Sequence, residues 1–361
     1  MKIRSFMLVA GAAVCAAACC GVSETTRISG TIAAAEGLDE VNVVVESAGI
    51  DTLVSVTGGK FSFEVPTDVT TVGAVTAGPY KVLFIPDGTR LKVVLGAESG
   101  VESSSSKSVT SRFVEFSDRS MALQGDFMTE AQNIQANAEL SDEARDSMLV
   151  ANYEKFTGEY IAFAKDALAA NSDNVIAISA LSNLAMLLED DVQVDSLINT
   201  LSPAIQQKDE IVAMKKLIET RIETAEGKMF KDFTVEDSDG KTVKFSDYVG
   251  KGKYVLVDFW ASWCGPCKAE IPNIKSVYNE YHKKGLDVLS VAVWDRPEAT
   301  KDTAKVYGVS WDQIINAGQV PTELYGIEGI PHIILFGPDG KILKRNLRGE
   351  EIGQEIAKYI K

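Results

Sequence analysis

The chain has 361 residues, of which 45% are hydrophobic and 24% charged, and its formal net charge is −15. This composition excludes wholesale disorder, while the length is too great for one compact core and predicts two or three domains. Residues 227–361 hold 19 basic and 19 acidic side chains, so the whole excess of acid falls in the first 226 residues. An acidic front half argues against nucleic acid or an anionic membrane surface as a partner.

The first nineteen residues have the pattern of an export signal. A positively charged start precedes an apolar run at residues 6–18, which is too short to span a bilayer as a helix. The run closes on three small residues and then Cys19 and Cys20, which resembles a bacterial lipoprotein signal. The resemblance implies a signal peptide over residues 1–19, with Cys19, or alternatively Cys20, as the lipidated residue. We therefore expect a lipid-anchored protein on the periplasmic side of the cell envelope; an ordinary cleaved signal is the alternative.

Residues 20–115 have the pattern of a small antiparallel β domain. Runs rich in valine, phenylalanine and isoleucine alternate with glycine- and proline-containing turns, and the predicted strands are residues 41–45, 52–56, 60–65 and 80–85. The serine-rich stretch at residues 96–111 predicts an exposed loop after the last strand.

Residues 116–226 change to a helical period. Apolar and aromatic side chains recur every three or four positions, as in Leu149, Tyr153, Phe156, Tyr160 and Phe163. This spacing predicts amphipathic helices whose aromatic stripe faces a core, with a turn at residues 171–173. The first 226 residues contain no catalytic motif that we can identify.

The chemistry is concentrated after a buried strand at residues 254–260. The strand leads into Cys264-Gly265-Pro266-Cys267 and then a helical stretch, the context in which a CxxC pair indicates redox chemistry. Side chains at i and i+3 in a first helical turn lie close enough to form a disulfide without backbone movement. Cys264 would face the unpaired N–H groups and positive dipole of the helix start, which favour its thiolate. Cys267, one turn further in, would resolve the mixed disulfide.

Asp258 is the only charged residue of the predicted strand. A carboxylate in so apolar a run is costly to bury, so we expect it to stay protonated to higher pH than in water. Such a group can accept the proton of Cys267 when that thiol attacks the mixed disulfide. A strand-end carboxylate that faces solvent is the alternative.

The run VDFWASWCGPCK, followed by Pro272, resembles thioredoxin, and residues 325–331 resemble the thioredoxin loop that ends in a cis-proline. The resemblance implies an α/β thioredoxin fold over residues 227–361, a cis bond before Pro331, and a hairpin over residues 333–341. It also implies that the exchange reaction needs no cofactor or metal. The substrate-binding residues that it implies are Trp263, Gly265, Pro266, Ile330 and Pro331.

Two features resemble the envelope relatives of thioredoxin, the TlpA/ResA-like thiol-disulfide oxidoreductases. An additional stretch at residues 295–313 has a helical pattern, and Glu270 falls in the pattern CxxCxxEIP, where the group carries an acid near the cysteines. Glu270 is thus a second candidate for the proton, with a solvated helix carboxylate as the alternative. The resemblance implies exported disulfide-containing proteins as substrates and a membrane electron donor of the DsbD/CcdA type. Asp258 and the Gly-Pro dipeptide depart from the ResA-like pattern; the dipeptide resembles reducing members, and the specificity stays open.

Three other interpretations of the cysteine pair were considered. A zinc site would need two more ligands, for which the chain after the signal offers only His282 and His332. A peroxidase of the AhpC/TSA type shares the fold, although its reactive cysteine usually has no partner three residues on. A tethered binding module with a relict redox domain is the non-enzymatic alternative.

Overall fold

The structure is a computed structural model, which describes residues 23–33 and 37–361. The predicted signal peptide and the lipidation candidates Cys19 and Cys20 lie outside the described residues. The chain divides into two compact units, Met1–Asn183 and Leu184–Lys361. In the part of the chain that the structure describes, no helix combines the length and the apolar character needed to cross a bilayer.

The first unit opens with a β-sandwich. Its eight strands are β1 (Thr25–Ile32), β2 (Glu40–Val45), β3 (Ile50–Ser55), β4 (Lys60–Pro66), β5 (Gly73–Ala77), β6 (Tyr80–Phe84), β7 (Arg90–Leu95) and β8 (Gly100–Ser103). One sheet has the order β4-β1-β7-β8 and the other β3-β2-β5-β6, with antiparallel neighbours except for the parallel pair β1 and β7. Alternate side chains of both sheets, such as Val41, Phe84 and Leu91, pack into one core.

The predicted loop at residues 96–111 is wrong at two places, one in each half. Strand β8 occupies part of it, and helix α1 (Val109–Ala136) begins before it ends. The serines cap the helix instead of extending a loop, because the Ser108 hydroxyl accepts a hydrogen bond from the backbone N–H of Ser111 at 3.0 Å. The predicted domain boundary between residues 115 and 116 therefore falls inside α1.

The aromatic stripe of the helical region lies between two long helices. Helix α1 runs antiparallel to α2 (Asp142–Ala170), with ring centroids 4.8 Å apart for Phe127 and Phe156 and 5.2 Å apart for Phe116 and Phe163. A turn over 171–174 then leads to α3 (Val175–Leu187), inside which the division between the two compact units falls.

A buried carboxylate joins the sandwich to the start of α1. Asp87 Oδ2 accepts from the backbone N–H of Thr110 at 2.8 Å, and Oδ1 accepts from the N–H and the hydroxyl of Thr89 at 3.1 and 2.6 Å. The Thr110 hydroxyl donates to the carbonyl of Ile85 at 2.9 Å. One aspartate thus satisfies N–H groups of a turn and of a helix end that would otherwise lack partners.

The second unit combines short helices with a five-stranded sheet. Its elements are α4 (Asp191–Ile198), α5 (Pro203–Gln206), α6 (Asp209–Glu223), β9 (Thr234–Glu236), β10 (Thr242–Lys244), β11 (Tyr254–Trp260), α7 (Gly265–Tyr281), β12 (Leu286–Val293), α8 (Pro297–Tyr307), β13 (Asp312–Gly318), α9 (Val320–Tyr325), β14 (His332–Phe336), β15 (Ile342–Lys344) and α10 (Glu350–Ile356). The unit therefore includes helices α4 to α6, which precede the predicted thioredoxin region at 227–361.

The sheet has the order β13-β12-β11-β14-β15, in which β11 to β13 are parallel and β14 and β15 antiparallel. Side chains of β11 alternate between two cores: Leu256 and Trp260 pack with α7 and α10, whereas Val257 and Phe259 face the opposite layer. This is the predicted thioredoxin fold, which the structure confirms together with the β14–β15 hairpin. The stretch at 295–313 contains one helix, α8, and then the start of β13 rather than helix throughout.

Candidate active site

The two cysteines of the second unit are joined by a disulfide, with their Cα atoms 5.3 Å apart. Cys264 is the N-cap residue of α7, and its Sγ accepts from the backbone N–H of Cys267 at 3.1 Å. Cys264 is 3% exposed and Cys267 has no exposed surface. Gly265 and Pro266 are exposed in the first turn, where a proline ring costs no helical hydrogen bond. Solvent and substrate can therefore reach Cys264 first.

The turn before Cys264 is anchored by Asp295. The backbone N–H and hydroxyl of Ser262 donate to the Asp295 carboxylate at 2.6 and 2.9 Å, and the Thr300 hydroxyl donates at 2.7 Å. Burial favours a higher pKa for Asp295, but these hydrogen bonds outweigh burial and lower the pKa below its ordinary value. Beside them the indole N–H of Trp263 donates to the carbonyl of Trp294 at 3.0 Å, which fixes a ring that is 60% exposed.

The predicted cis bond between Ile330 and Pro331 is present. It lies just before β14, and the carbonyl oxygen of Ile330 is 3.7 Å from Cys264 Sγ. Ile330 is half-buried and packs against both cores of the unit. The loop thus brings a backbone carbonyl, that of the residue before the cis-proline, to the outer sulfur.

Asp258 lies on β11 between Leu256 and Trp260, on the face that packs against α7 and Cys267. It is 1% exposed, and its Oδ1 has no hydrogen-bond partner among residues 23–33 and 37–361. Burial first, and then the Glu270 carboxylate, raise the pKa of Asp258 to about 7, against the opposing influence of Arg348 and of a hydrogen bond from Ser290. This carboxyl group is therefore half protonated near neutral pH.

Glu270 is tied to the backbone beyond β15 instead of facing solvent freely. Its Oε2 accepts from the side-chain amide of Asn273 at 2.9 Å and from the backbone N–H of Gly349 at 3.0 Å. The neighbouring Arg348 donates to the carbonyls of Leu347 and of Pro331. Sequence reasoning missed Arg348 and Gly349; a lone arginine-glycine pair carries no local signal of either contact.

The two histidines stand in different surroundings. His332 Nε2 is 3.3 Å from a guanidinium nitrogen of Arg345, and burial, followed by Arg345 and two further arginines, lowers the pKa of His332 to about 3. His282 Nδ1 lies 3.5 Å from the Asp287 carboxylate on the surface. Across the described ranges no group of three or more histidine, cysteine or acidic residues is arranged to hold a metal ion.

Comparisons with known proteins agree with this geometry. A sequence model of the AhpC/TSA family matches residues 227–345. Thiol-disulfide oxidoreductase ResA of Bacillus thuringiensis subsp. konkukian is 30% identical over 135 residues, which are 37% of this chain and 76% of that protein. ResA of Bacillus subtilis is 32% identical over 120 residues, which are 33% of this chain and 66% of that protein.

Among solved structures, the thioredoxin domain of a thiol-disulfide oxidoreductase from Bacteroides vulgatus is 34% identical, and the match covers 38% of this chain and 99% of that chain with a TM-score of 0.35. The two ResA matches are at least 30% identical to this chain and cover about two thirds or more of each relative. The second unit of this chain has a thioredoxin sheet and a CxxC disulfide at a helix start. This chain belongs to the TlpA/ResA-like thiol-disulfide oxidoreductases and is a protein-disulfide oxidoreductase.

Proposed function

We propose that this protein reduces disulfides of exported proteins in the cell envelope through the dithiol of Cys264 and Cys267. The observation that carries the proposal is the asymmetry of the pair. Cys264 Sγ is at the N-cap of α7, receives a backbone hydrogen bond at 3.1 Å and has some exposed surface, whereas Cys267 has none. A helix N-terminus stabilises a thiolate, so Cys264 is the attacking sulfur.

The reaction begins with the reduced pair. The Cys264 thiolate attacks one sulfur of the substrate disulfide, the substrate S–S bond breaks, and the departing substrate thiolate takes a proton from water. Cys267 then gives its proton to Asp258, and the resulting thiolate attacks Cys264 Sγ. This step expels the second substrate sulfur as a thiolate, which takes a proton from water, and forms the disulfide seen in the structure, so two electrons pass from the pair to the substrate.

Asp258 is suited to this proton transfer because its pKa, raised to about 7 by burial and by Glu270, lets the ionised form accept a proton at neutral pH. Its Oδ1, without a hydrogen-bond partner in the described chain, is free to do so. Glu270 is the second candidate, although its Oε2 already accepts hydrogen bonds from Asn273 and Gly349, and its carboxylate raises the pKa of Asp258.

The substrate groove in this proposal lies between the helix start and the cis-proline. Trp263 presents a fixed, exposed ring on one side, and Ile330 supplies a carbonyl 3.7 Å from the attacked sulfur on the other. The exposed first turn of α7 and the ring of Pro331 form the base of the groove. The residues proposed for the groove are Trp263, Gly265, Pro266, Ile330 and Pro331.

The proposed setting follows from the export pattern of residues 1–19. A lipid on Cys19 or Cys20 would hold the protein at a membrane on the periplasmic side. A reductase outside the cytosol needs electrons from across that membrane, which is why a donor of the DsbD/CcdA type is part of the proposal. The direction can be tested by equilibrium with glutathione: a potential close to that of thioredoxin, about −270 mV, supports a reductase, and one above roughly −200 mV an oxidant.

One observation favours a second function: the AhpC/TSA family model covers residues 227–345. A peroxidase would use Cys264 to reduce peroxide, with Cys267 resolving the sulfenic acid. Consumption of hydrogen peroxide in step with oxidation of the pair, with no reduction of a protein disulfide, would support this alternative.

The test of the proposal is substrate trapping with Cys267→Ser in the full chain. Because the resolving sulfur is absent, exported substrates should accumulate as mixed disulfides with Cys264 that dithiothreitol releases. The double variant Cys264→Ser, Cys267→Ser is the matched control and should capture nothing. The proposal fails if the single variant gives no adduct and the native protein, supplied with a dithiol, reduces insulin no faster than background; that pair of results is what a binding module with a relict redox domain predicts.

A further inference from the structure

The loop that reaches the reactive sulfur is held from behind by helix α6. We define the cis-proline loop as residues 326–331, between α9 and β14. Arg221, on α6, donates from Nε to the carbonyl of Gly326 at 3.3 Å and from its terminal nitrogen to the carboxylate of Glu328. Its other terminal nitrogen lies 3.5 Å from the carboxylate of Asp191. One guanidinium therefore binds both the backbone and a side chain of the loop.

The helix and the loop approach each other too closely for any side chain at Gly326. A Cβ atom there would lie 2.7 Å from Arg221 Cγ and 3.5 Å from the backbone carbonyl oxygen of Leu217. Gly326 also has a φ of 61°, which glycine adopts without strain. The start of the loop is thus fitted to the surface of α6 by contact as well as by hydrogen bonds.

A second arginine ties the end of the same helix to the residue before the loop. Arg345 donates to the carbonyl and to the hydroxyl of Thr224, the C-cap of α6, both at 2.7 Å, and to the carbonyl of Tyr325 at 2.7 Å. The Thr224 hydroxyl lies 3.4 Å from the same Tyr325 carbonyl. Helix α6 therefore contacts the chain at Tyr325, Gly326 and Glu328, and the last of these is two residues before Ile330.

The same helix and loop share a cleft of about 1030 Å³. Arg221 lines it from the helix and Ala225 from the residue after the C-cap. Glu328 and Pro331 line it from the loop, and Met186, which is 77% exposed, from the end of α3. Ile330, whose carbonyl lies 3.7 Å from Cys264 Sγ, also lines the cleft, and the volume of the cleft is that of several residues of polypeptide rather than of one side chain. A small substrate such as glutathione disulfide would need to contact only the surface around Cys264 Sγ.

We propose that Arg221 is a positioning residue for polypeptide substrates: it holds the cis-proline loop against α6 so that an extended segment of the substrate can pair with the loop and enter the cleft. The inference rests on the proposed function, because it assumes a disulfide-bearing substrate, and it narrows the substrate class to extended polypeptide. Helix α6 is by this inference part of the substrate site. The Glu328 side chain is 61% exposed and that of Arg221 28%, so solvent screens the ion pair and its contribution to the stability of the fold is small.

The test compares a protein disulfide with a small one in the full-length protein. Arg221→Ala should raise KM for reduction of insulin about tenfold, the loss expected for a hydrogen-bonded charged group, and leave the rate with glutathione disulfide unchanged. Lys215→Ala is the matched control, because Lys215 is a cation on the same helix whose ammonium donates to the side chain of Asn199 instead of to the loop. Its KM for insulin should equal that of the native protein.

A charge exchange separates positioning from damage. Arg221→Glu and Glu328→Arg should each raise KM for insulin, and the double variant should recover only the part of the loss that the ion pair carries, because a carboxylate at position 221 cannot donate to the carbonyl of Gly326. Amide hydrogen exchange at residues 326–330 should be faster in Arg221→Ala than in Lys215→Ala, a readout that does not depend on turnover.

Two results would overturn the inference: an unchanged KM for insulin in a folded Arg221→Ala variant, or an equal loss with insulin and with glutathione disulfide. If the native protein reduced neither disulfide, the proposed function itself would fail, and the two failures are thereby distinguished.

Discussion

Each unit buries an aspartate, and the two are used differently. In the sandwich, Asp87 is 7% exposed and both of its oxygens accept hydrogen bonds, from Thr89 and Thr110. In the thioredoxin sheet, Asp258 is 1% exposed and one oxygen has no partner within the described residues. A satisfied carboxylate holds its neighbours in place, whereas an unsatisfied one beside a disulfide keeps an acceptor available for a proton.

The difference explains why burial alone does not identify a functional acid. Both side chains are removed from water, which is costly for a charge. In the first unit the cost is offset by donors from a turn and a helix end. In the second unit it is left partly uncompensated, and the pKa rises to about 7 as a result. Five predictions test this contrast.

The largest expected effect is that of Cys264→Ser. Loss of the attacking thiolate should reduce dithiol-dependent insulin reduction to background, because a serine hydroxyl is not a nucleophile at neutral pH. The matched control in the first unit is Asp87→Asn, which should keep the native rate of insulin reduction per folded molecule. Turnover that survives in Cys264→Ser would place the chemistry elsewhere in the chain.

Asp258→Asn should slow the resolving step near pH 7 by about 10²-fold, the contribution typical of a positioned general base. Rapid mixing of the reduced variant with a disulfide peptide, followed by acid quenching, measures how long the mixed disulfide persists. Glu270→Gln is the companion variant. If Asp258→Asn resolves at the native rate and Glu270→Gln does not, the proton goes to Glu270 instead.

The same substitution should change how stability depends on pH. The folded protein keeps the Asp258 proton up to about pH 7, while an unfolded aspartate loses it near 3.9, so the folded state binds more protons between these values. The free energy of unfolding of the native, oxidised protein should therefore fall as pH rises through this window, by up to about 4 kcal/mol. In denaturant titrations at pH 4, 6 and 8, the free energy of unfolding of Asp258→Asn should rise relative to that of the native protein as the pH increases. The same difference at all three pH values would contradict the raised pKa.

Asp87→Ala is expected to affect stability only. It removes the acceptor for the N–H of Thr110 and for both donors of Thr89, and unsatisfied buried donors cost about 1–3 kcal/mol. Denaturant unfolding should show this loss, and Asp87→Asn, which retains one acceptor oxygen, a smaller one. A change in KM or kcat per folded molecule would break the contrast between the two aspartates.

The smallest effect is expected from Arg348→Gln. Because Arg348 opposes the rise in the pKa of Asp258, its removal should raise that pKa further and move the acid limb of the resolving rate to higher pH. Arg348→Lys should restore most of the profile. Lys344→Gln, the loss of an equal charge that pairs with Glu226, should leave the profile in place; an equal shift in both variants would point to general charge rather than to Arg348.

The features that the sequence could predict depend on residues that are close together in the chain. The CxxC pair follows a strand and opens a helix, and Ile330-Pro331 stands in a recognisable run, so the thioredoxin fold and the cis bond required no distant contact to be inferred. The tie between Glu270 and Gly349 joins positions 79 residues apart, and that between Arg221 and Glu328 joins positions 107 apart. No periodicity or spacing records such pairs.

The sandwich was also only partly predictable, for a related reason. Strands β1 and β7 pair in parallel with Arg27 opposite Arg90 and Ser29 opposite Lys92. Strand β1 has only two aliphatic side chains among its eight residues, too few for the apolar density used to recognise a strand. Strand β7 has four among six, so its own sequence carries the signal, but the parallel pairing with β1 does not show in either run. Lipidation at Cys19 or Cys20 and the proposed domain boundaries stay predictions.

Asp295, which anchors the turn before Cys264, responds to pH differently from the proposed proton acceptor. Its pKa is lowered by hydrogen bonds, whereas that of Asp258 is raised to about 7. In a mildly acidic compartment Asp258 would take up a proton and lose its capacity as an acceptor, while Asp295 would stay ionised and keep Ser262 in place. Acid would therefore slow the exchange reaction while the turn before Cys264 keeps its structure. A return to neutral pH would restore the rate without any structural change at the site.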